Sequence, residues 1–302
     1  MVRVPPMWRC RLVAGLCCVL VSMPPAFAQA DAKLSTALSV VESPSDAVVF
    51  HGLVNQDEAG LGTGGMAYPG IGGALGLVVG VLTHAALVEG EKSRQRTALQ
   101  VAADKVVEPY QETLAKWSLN GLLKSAMDQL LQPVVKSMVS KGTGDPASLV
   151  VEPHPSFALT SDQRAVVLDY VVAVYSPGDH VHPVLKTVVR VISKALTAED
   201  PKSIWLANEG TRLKSEAVDL LKEALRVSVD VALASADESA GSPKQKTVRY
   251  MQGGEERVER AQLVNESCDR LVLKTLRGEL MSVPAKIAPA SCSLAANANL
   301  PG

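Results

Sequence analysis

The chain has 302 residues, 30 Lys plus Arg against 31 Asp plus Glu, and only 4% aromatic residues. That length allows one large domain or two small ones, and the absence of a basic excess excludes nucleic acid as the main partner. Scarce aromatic rings point to an aliphatic core and against an aromatic-lined sugar or base site.

Residues 1–28 read as a secretory signal peptide. Arg3, Arg9 and Arg11 form a positive start, Leu12 to Met23 an apolar centre, and Ala26-Phe27-Ala28 a small-x-small cleavage site. The rival reading is an uncleaved anchor. Cleavage removes three Arg and no acid, leaving 27 basic against 31 acidic residues and a net charge of −4. It also removes Cys10, Cys17 and Cys18, so Cys268 and Cys292 remain as an expected disulfide, with two free thiols as the alternative.

Residues 29–65 form a short β segment and a Gly-rich loop. Leu38 to Glu42 and Ala47 to Val54 are β-favouring runs separated by the turn signal Ser43-Pro44-Ser45-Asp46. Residues 66–90 follow as a predicted membrane-associated helix. Met66 to Val88 is an uncharged run of 23 residues with Gly72, Gly76 and Gly80 at a spacing of four, which places all three on one helix face. Glycine costs about 1 kcal/mol in a helix interior, so three in register imply close backbone approach between helices.

Residues 91–145 are expected to be helical. A charged stretch begins at Glu91 and continues to about Trp117, and Ser118 to Val139 reads as a second amphipathic helix, kinked or split at Pro133. Residues 146–284 read as an α+β body. Strands are predicted at Ser148 to Glu152, Ser156 to Leu159, Ala165 to Tyr175 and Val184 to Ile192. A helix at Ser203 to Ala234 carries the stripe Leu213, Ala217, Leu220, Leu221, Ala224 and Leu225, with Lys214, Glu216, Lys222 and Glu223 assigned to the outside. Four strands follow between Thr247 and Pro284, with Gly253-Gly254 as a turn, and residues 285–302 read as a flexible tail. The fold class is therefore α+β, with an antiparallel β-rich body and one long helix.

Catalytic signals are weak, and no enzyme activity or cofactor is expected. There is no Gly-x-Ser-x-Gly elbow, and Gly60 to Gly65 does not precede the Lys-Ser or Lys-Thr pair of a P-loop. His180 and His182 are the best metal candidates, because alternate residues of a strand share a face. Flanking Pro177-Gly178 and Pro183 favour a loop instead, and no third ligand is fixed by spacing.

The Gly72, Gly76, Gly80 series resembles the glycine-zipper segments of bacterial envelope proteins, including the rickettsial surface antigen family, over roughly residues 60–90. The resemblance implies membrane association and homo-oligomeric helix packing. Its consequence is an exported, periplasmic or membrane-associated envelope protein that acts structurally or through an unknown envelope partner. The alternatives are a soluble periplasmic ligand-binding protein and a metal-dependent hydrolase using His180 and His182. One conflict stands out. A single span at Ile71 to Val88 would put everything after Gly90 in the cytoplasm, as Lys92, Arg94 and Arg96 favour, yet would place Cys268 and Cys292 in a reducing compartment.

Overall fold

The computed structural model describes residues 37–54, 96–132, 135–234 and 244–286. Ten strands form one mixed, mostly antiparallel sheet. They are β1 (Leu38–Val41), β2 (Phe50–Gly52), β3 (Lys136–Val139), β4 (Leu149–Leu159), β5 (Val166–Tyr175), β6 (Pro183–Ile192), β7 (Gln245–Gln252), β8 (Glu255–Glu266), β9 (Arg270–Thr275) and β10 (Leu280–Pro284). The order across the sheet is β3-β1-β4-β5-β6-β10-β9-β8-β7, with β2 also paired to β4. The helices are α1 (96–104), α2 (Gln111–Leu114), α3 (Leu119–Asp128) and α4 (Pro201–Ala234). The α+β class is as the sequence implies.

β4 organises the amino-terminal half. The sequence predicts two strands here, broken around Pro153 and Pro155, but Leu149–Leu159 is one strand. One side of β4 pairs antiparallel with β5 throughout. On the other side β1 covers Leu149 to Val151 and β2 covers Phe157 to Leu159, both parallel. Leu149 and Phe157 donate their N–H groups to that side, to Ala37 and Val49. By alternation Pro153 and Pro155 face the same side, in the gap between β1 and β2. A missing N–H costs nothing where no partner strand runs.

Ser118 to Val139 is not one helix. α3 ends at Asp128 and residues 136–139 form β3, parallel to β1. Val135, Met138 and Val139 suit either period, and sheet pairing decides between them. A hydroxyl row, from buried Ser39 Oγ to buried Ser148 Oγ at 2.7 Å and to exposed Ser137 Oγ at 3.2 Å, fastens β1 to its two neighbours. The turn after β1 caps α3: Ser118 Oγ accepts from Gly121 N, and Asp46 Oδ1 accepts from Asn120 N and the Ser118 hydroxyl.

α3 and α4 pack on one sheet face. Leu168, Tyr170, Val172 and Val174 of β5 meet the predicted stripe of α4, every member of which is buried. The Tyr170 hydroxyl is buried among these apolar groups without a hydrogen-bond partner among the described residues, and burial pushes its titration far up. Tyr170→Phe is expected to leave stability unchanged or to raise it by up to about 1 kcal/mol, because no hydrogen bond is lost and a desolvated hydroxyl disappears. Chemical denaturation checks this, and a clear loss of stability would reveal an unrecognised partner.

α4 is interrupted where Asn208, Glu209 and Gly210 take left-handed backbone angles. The break swings Trp205 inward, where its indole N–H donates to Gln163 O at 2.7 Å. Tyr110 donates to Gln163 Oε1 at 2.6 Å, and burial together with Asp200 pushes that phenol up to about 12. Gly210 is required there: φ is +76°, and a Cβ would lie 2.5 Å from the Thr113 methyl.

The opposite face carries a second core, because the sheet curls. Tyr250, Ala261, Leu273, Met281 and Val283 of the last four strands pack with Val167 and Ile192. The curl is pinned at its tips, where Gly254 N donates to Asp162 Oδ2 at 2.6 Å. Burial alone would raise the Asp162 carboxyl, but hydrogen bonds from Thr160, Arg164 and Gly254 hold it below the usual range.

Candidate functional site

The candidate site is the corner where the chain leaves the described body after Val54 and returns at residue 96. β2 is an edge strand. Its outward backbone groups would be free for another chain to pair with, but α1 occupies that edge. Gly52 N donates to Asp104 Oδ1 at 2.9 Å, and Gln100 Nε2 donates to Gly52 O at 3.0 Å and to Asp104 Oδ1 at 2.7 Å. His51 Nδ1 stands 3.9 Å from the same carboxylate. Contact is so close that a Cβ on Gly52 would lie 2.0 Å from Ala103 O.

α1 is held mainly by this backbone contact. Residues 96–98, Val101 and Ala102 are exposed, and only its Gly52-facing side is partly buried. The predicted charged helix from Glu91 to Trp117 is therefore helical in pieces. It breaks after residue 104, resumes as a 3-10 turn at Glu108–Tyr110 containing Pro109, and ends with α2. Beside the corner lies a groove of about 310 Å³ floored by Val48, Phe50, Val107 and Leu114, with Asp104 and Gln111 at its rim. Phe50 stacks on Phe157 with ring centres 4.8 Å apart and meets Trp117 edge-on at 6.4 Å. These rings tie the corner to both the sheet and the segment entering α3.

Sequence reasoning passed over Gly52, Gln100 and Asp104. An isolated glycine within a β-branched run was the available signal, since it marks close backbone approach. Gly72, Gly76 and Gly80 lie outside the described residues, as does Cys292. Cys268 sits in the exposed turn between β8 and β9 and is engaged there.

The structure gives His182 a local explanation, and brings no third ligand to the pair His180 and His182. Both lie in the exposed β5–β6 loop. Asp179 Oδ1 accepts from the N–H groups of Val181 and His182, and Asp179 Oδ2 lies 3.2 Å from His182 Nδ1. This is an Asx turn closed by an imidazole. Among the described residues no three His, Cys, Asp or Glu side chains stand together as a metal site. His154 is on β4, 3.8 Å from Glu152, whose carboxylate is held by Lys141 Nζ at 2.6 Å.

Two outward assignments on α4 change. Glu223 is only 14% exposed and faces the sheet. It accepts from Arg226 at 2.9 and 2.8 Å and from Ser282 Oγ at 2.7 Å. Arg270, on β9, stands 3.6 Å away. Glu216 is partly buried, and burial, then Asp219, raise its carboxyl.

The chain matches no known protein family, no curated protein and no solved structure.

Proposed function

We propose that this is an exported cell-envelope protein that works structurally or by interaction rather than by catalysis. In this reading the α+β body carries the glycine-zipper run on a fixed base. The observation that carries it is the corner at Gly52. The chain that enters and leaves the uncharged run is clamped there, so force or partner binding on the run is transmitted to a rigid sheet edge. The signal-like amino terminus supplies export, and a Cys268–Cys292 disulfide suits the oxidising compartment to which export leads. Among the described residues no helix is long and apolar enough to cross a membrane, so membrane contact in this reading falls to residues 66–88.

Carbonate extraction of the full chain tests the membrane part, and retention in the pellet is expected. Self-association through the run is tested by Gly76→Leu. A side chain on the shared glycine face keeps helices apart, so crosslinked oligomers should be lost at least tenfold while the body keeps its unfolding midpoint. Undiminished crosslinking would refute the zipper.

A ligand-binding reading draws on one observation. A groove of about 530 Å³ between α3 and α4, lined by Lys116, Trp117, Asn208 and Lys214 among others, is within the usual size of small-molecule sites. Complete release by osmotic shock without detergent would favour it.

A further inference from the structure

We propose that the outer edge of β7 takes an acidic, extended segment of a partner protein as an added strand. The proposal rests on the interaction reading above, names its class of partner, and does not depend on membrane contact. β7 ends the sheet order, with no strand beyond it. The two-residue turn Gly253-Gly254 joins it to β8, with Gln252 opposite Glu255 and no shift of register along the pair. Gly253 has φ +64°, as the first residue of such a turn requires. The pair that closes a two-residue turn exchanges both of its hydrogen bonds, and bonded and unbonded pairs alternate from there. Tyr250, Val248 and Lys246 therefore bond to β8, whereas the N–H and C=O groups of Met251, Arg249, Thr247 and Gln245 point away from it. Among the described residues no other backbone group meets them.

The other edges are covered or short. α1 lies on β2, and β3, at the far end of the sheet, has four residues. β7 has eight, with no proline, glycine or bulge to turn a partner away. Charge then selects the occupant. Residues 244–252 hold Lys244, Lys246 and Arg249, all exposed, and no acid. Arg249 has Glu256 of its own hairpin 3.7 Å away. A second copy of β7 would bring the same cations to the seam, and like charges across a strand pair destabilise it. An acidic strand is complementary. On the core side the added strand would lie beside Val248, which is half-buried at the rim of the second core next to buried Tyr250. An apolar residue at the centre of the segment fits there. Main-chain bonds supply the affinity and the side chains the choice of partner, as in other strand additions.

The test uses the full chain and the synthetic peptide acetyl-Glu-Thr-Glu-Val-Glu-Thr-Glu-amide, with the same peptide carrying Lys for Glu as its counterpart. Amide hydrogen exchange in β7 is read residue by residue. With the acidic peptide the amides of Gln245, Thr247, Arg249 and Met251 should slow at least tenfold. Those of Lys246, Val248, Tyr250 and Gln252, already bonded to β8, should not change, and the basic peptide should slow neither set. Thr247→Pro removes an outward N–H that β8 does not use, so it should weaken the acidic peptide roughly tenfold at an unchanged unfolding midpoint. Changing both exposed lysines, Lys244→Glu and Lys246→Glu, should weaken it through charge and decides the matter if the proline variant does not fold. Equal slowing by the two peptides would overturn the acidic class of partner. No slowing by the acidic peptide would overturn the docking edge. Outward amides already slowed in the peptide-free chain, increasingly with protein concentration, would give the edge to a second copy instead. Carbonate extraction and Gly76→Leu test the envelope reading separately, so failure of one is distinguishable from failure of the other.

Discussion

Glu223→Ala is expected to lower the unfolding free energy by about 3–5 kcal/mol, the range seen when one partner of a buried charge pair is removed. The residue left behind sets the cost. Arg270 is only 15% exposed, and its guanidinium donates to Ser282 Oγ, Ser282 O and Ile192 O, each at 2.8 Å. Those oxygens accept from its Nε and one Nη but carry no charge to balance its own. Glu223 supplies the nearest carboxylate and bridges to Ser282, so its loss strands a cation between α4 and the sheet. Arg226 is less affected, because it keeps Asp230 at 2.7 Å. Glu223→Gln retains an acceptor and should cost less, about 1.5 kcal/mol. Equal effects of the two variants would show that shape rather than charge matters at this position.

The same carboxylate gives an acid limb of known sign. Burial alone would raise Glu223, but Arg226, Ser282 and Arg270 outweigh it and hold the group below the ordinary value of 4.5. The unfolded chain therefore takes up the proton first. Stability from Glu223 is complete above pH 4.5 and is lost as pH falls through its depressed folded value. Glu216 acts oppositely, because its folded carboxyl is raised above 4.5. It adds stability as pH falls toward 4.5, in a window that does not overlap the first. Glu223→Ala should thus flatten the stability profile below pH 4.5 and leave the region above it in place, as denaturant midpoints measured against pH will show.

Glu223 also marks a limit of sequence reading. The stripe from Leu213 to Leu225 was legible because six apolar positions repeat with helical period. Glu223 follows Lys222 on that helix and has the composition of a solvated face. What turns it inward is a polar pair on β9 and β10, Arg270 and Ser282, about 50 residues later in the chain. Strands β5 to β10 were legible to within three residues at either end for the opposite reason, since each alternates locally and is bounded by a turn. The parallel joins of β1, β2 and β3 were not. No local pattern tells a short strand which distant neighbour it will pair with. The clamp at Gly52 was hidden likewise, because glycine leaves no side-chain signature of the helix that rests on it.

Gly52→Ala should therefore be a severe change although it adds one methyl group. Gly52 lies outside the left-handed region, so the cost is steric rather than conformational. The added Cβ would meet Ala103 O at 2.0 Å, Ala103 C at 2.2 Å and Asp104 N at 2.8 Å, all backbone atoms. No rotamer change relieves such a contact, so either α1 lifts away or β2 leaves β4. Lifting α1 gives up the bonds from Gly52 N to Asp104 and from Gln100 to Gly52 O, at about 1 kcal/mol each. With the overpacking strain the total is about 3 kcal/mol. Hydrogen exchange locates the damage. Amides of residues 99–104 should lose protection while those of β5 and β6 keep theirs, because the central sheet does not depend on the corner. Asp104→Asn, which keeps an acceptor in place, should cost about 1 kcal/mol and leave α1 docked. An alanine variant with full protection across α1 would mean that the helix does not rest on Gly52.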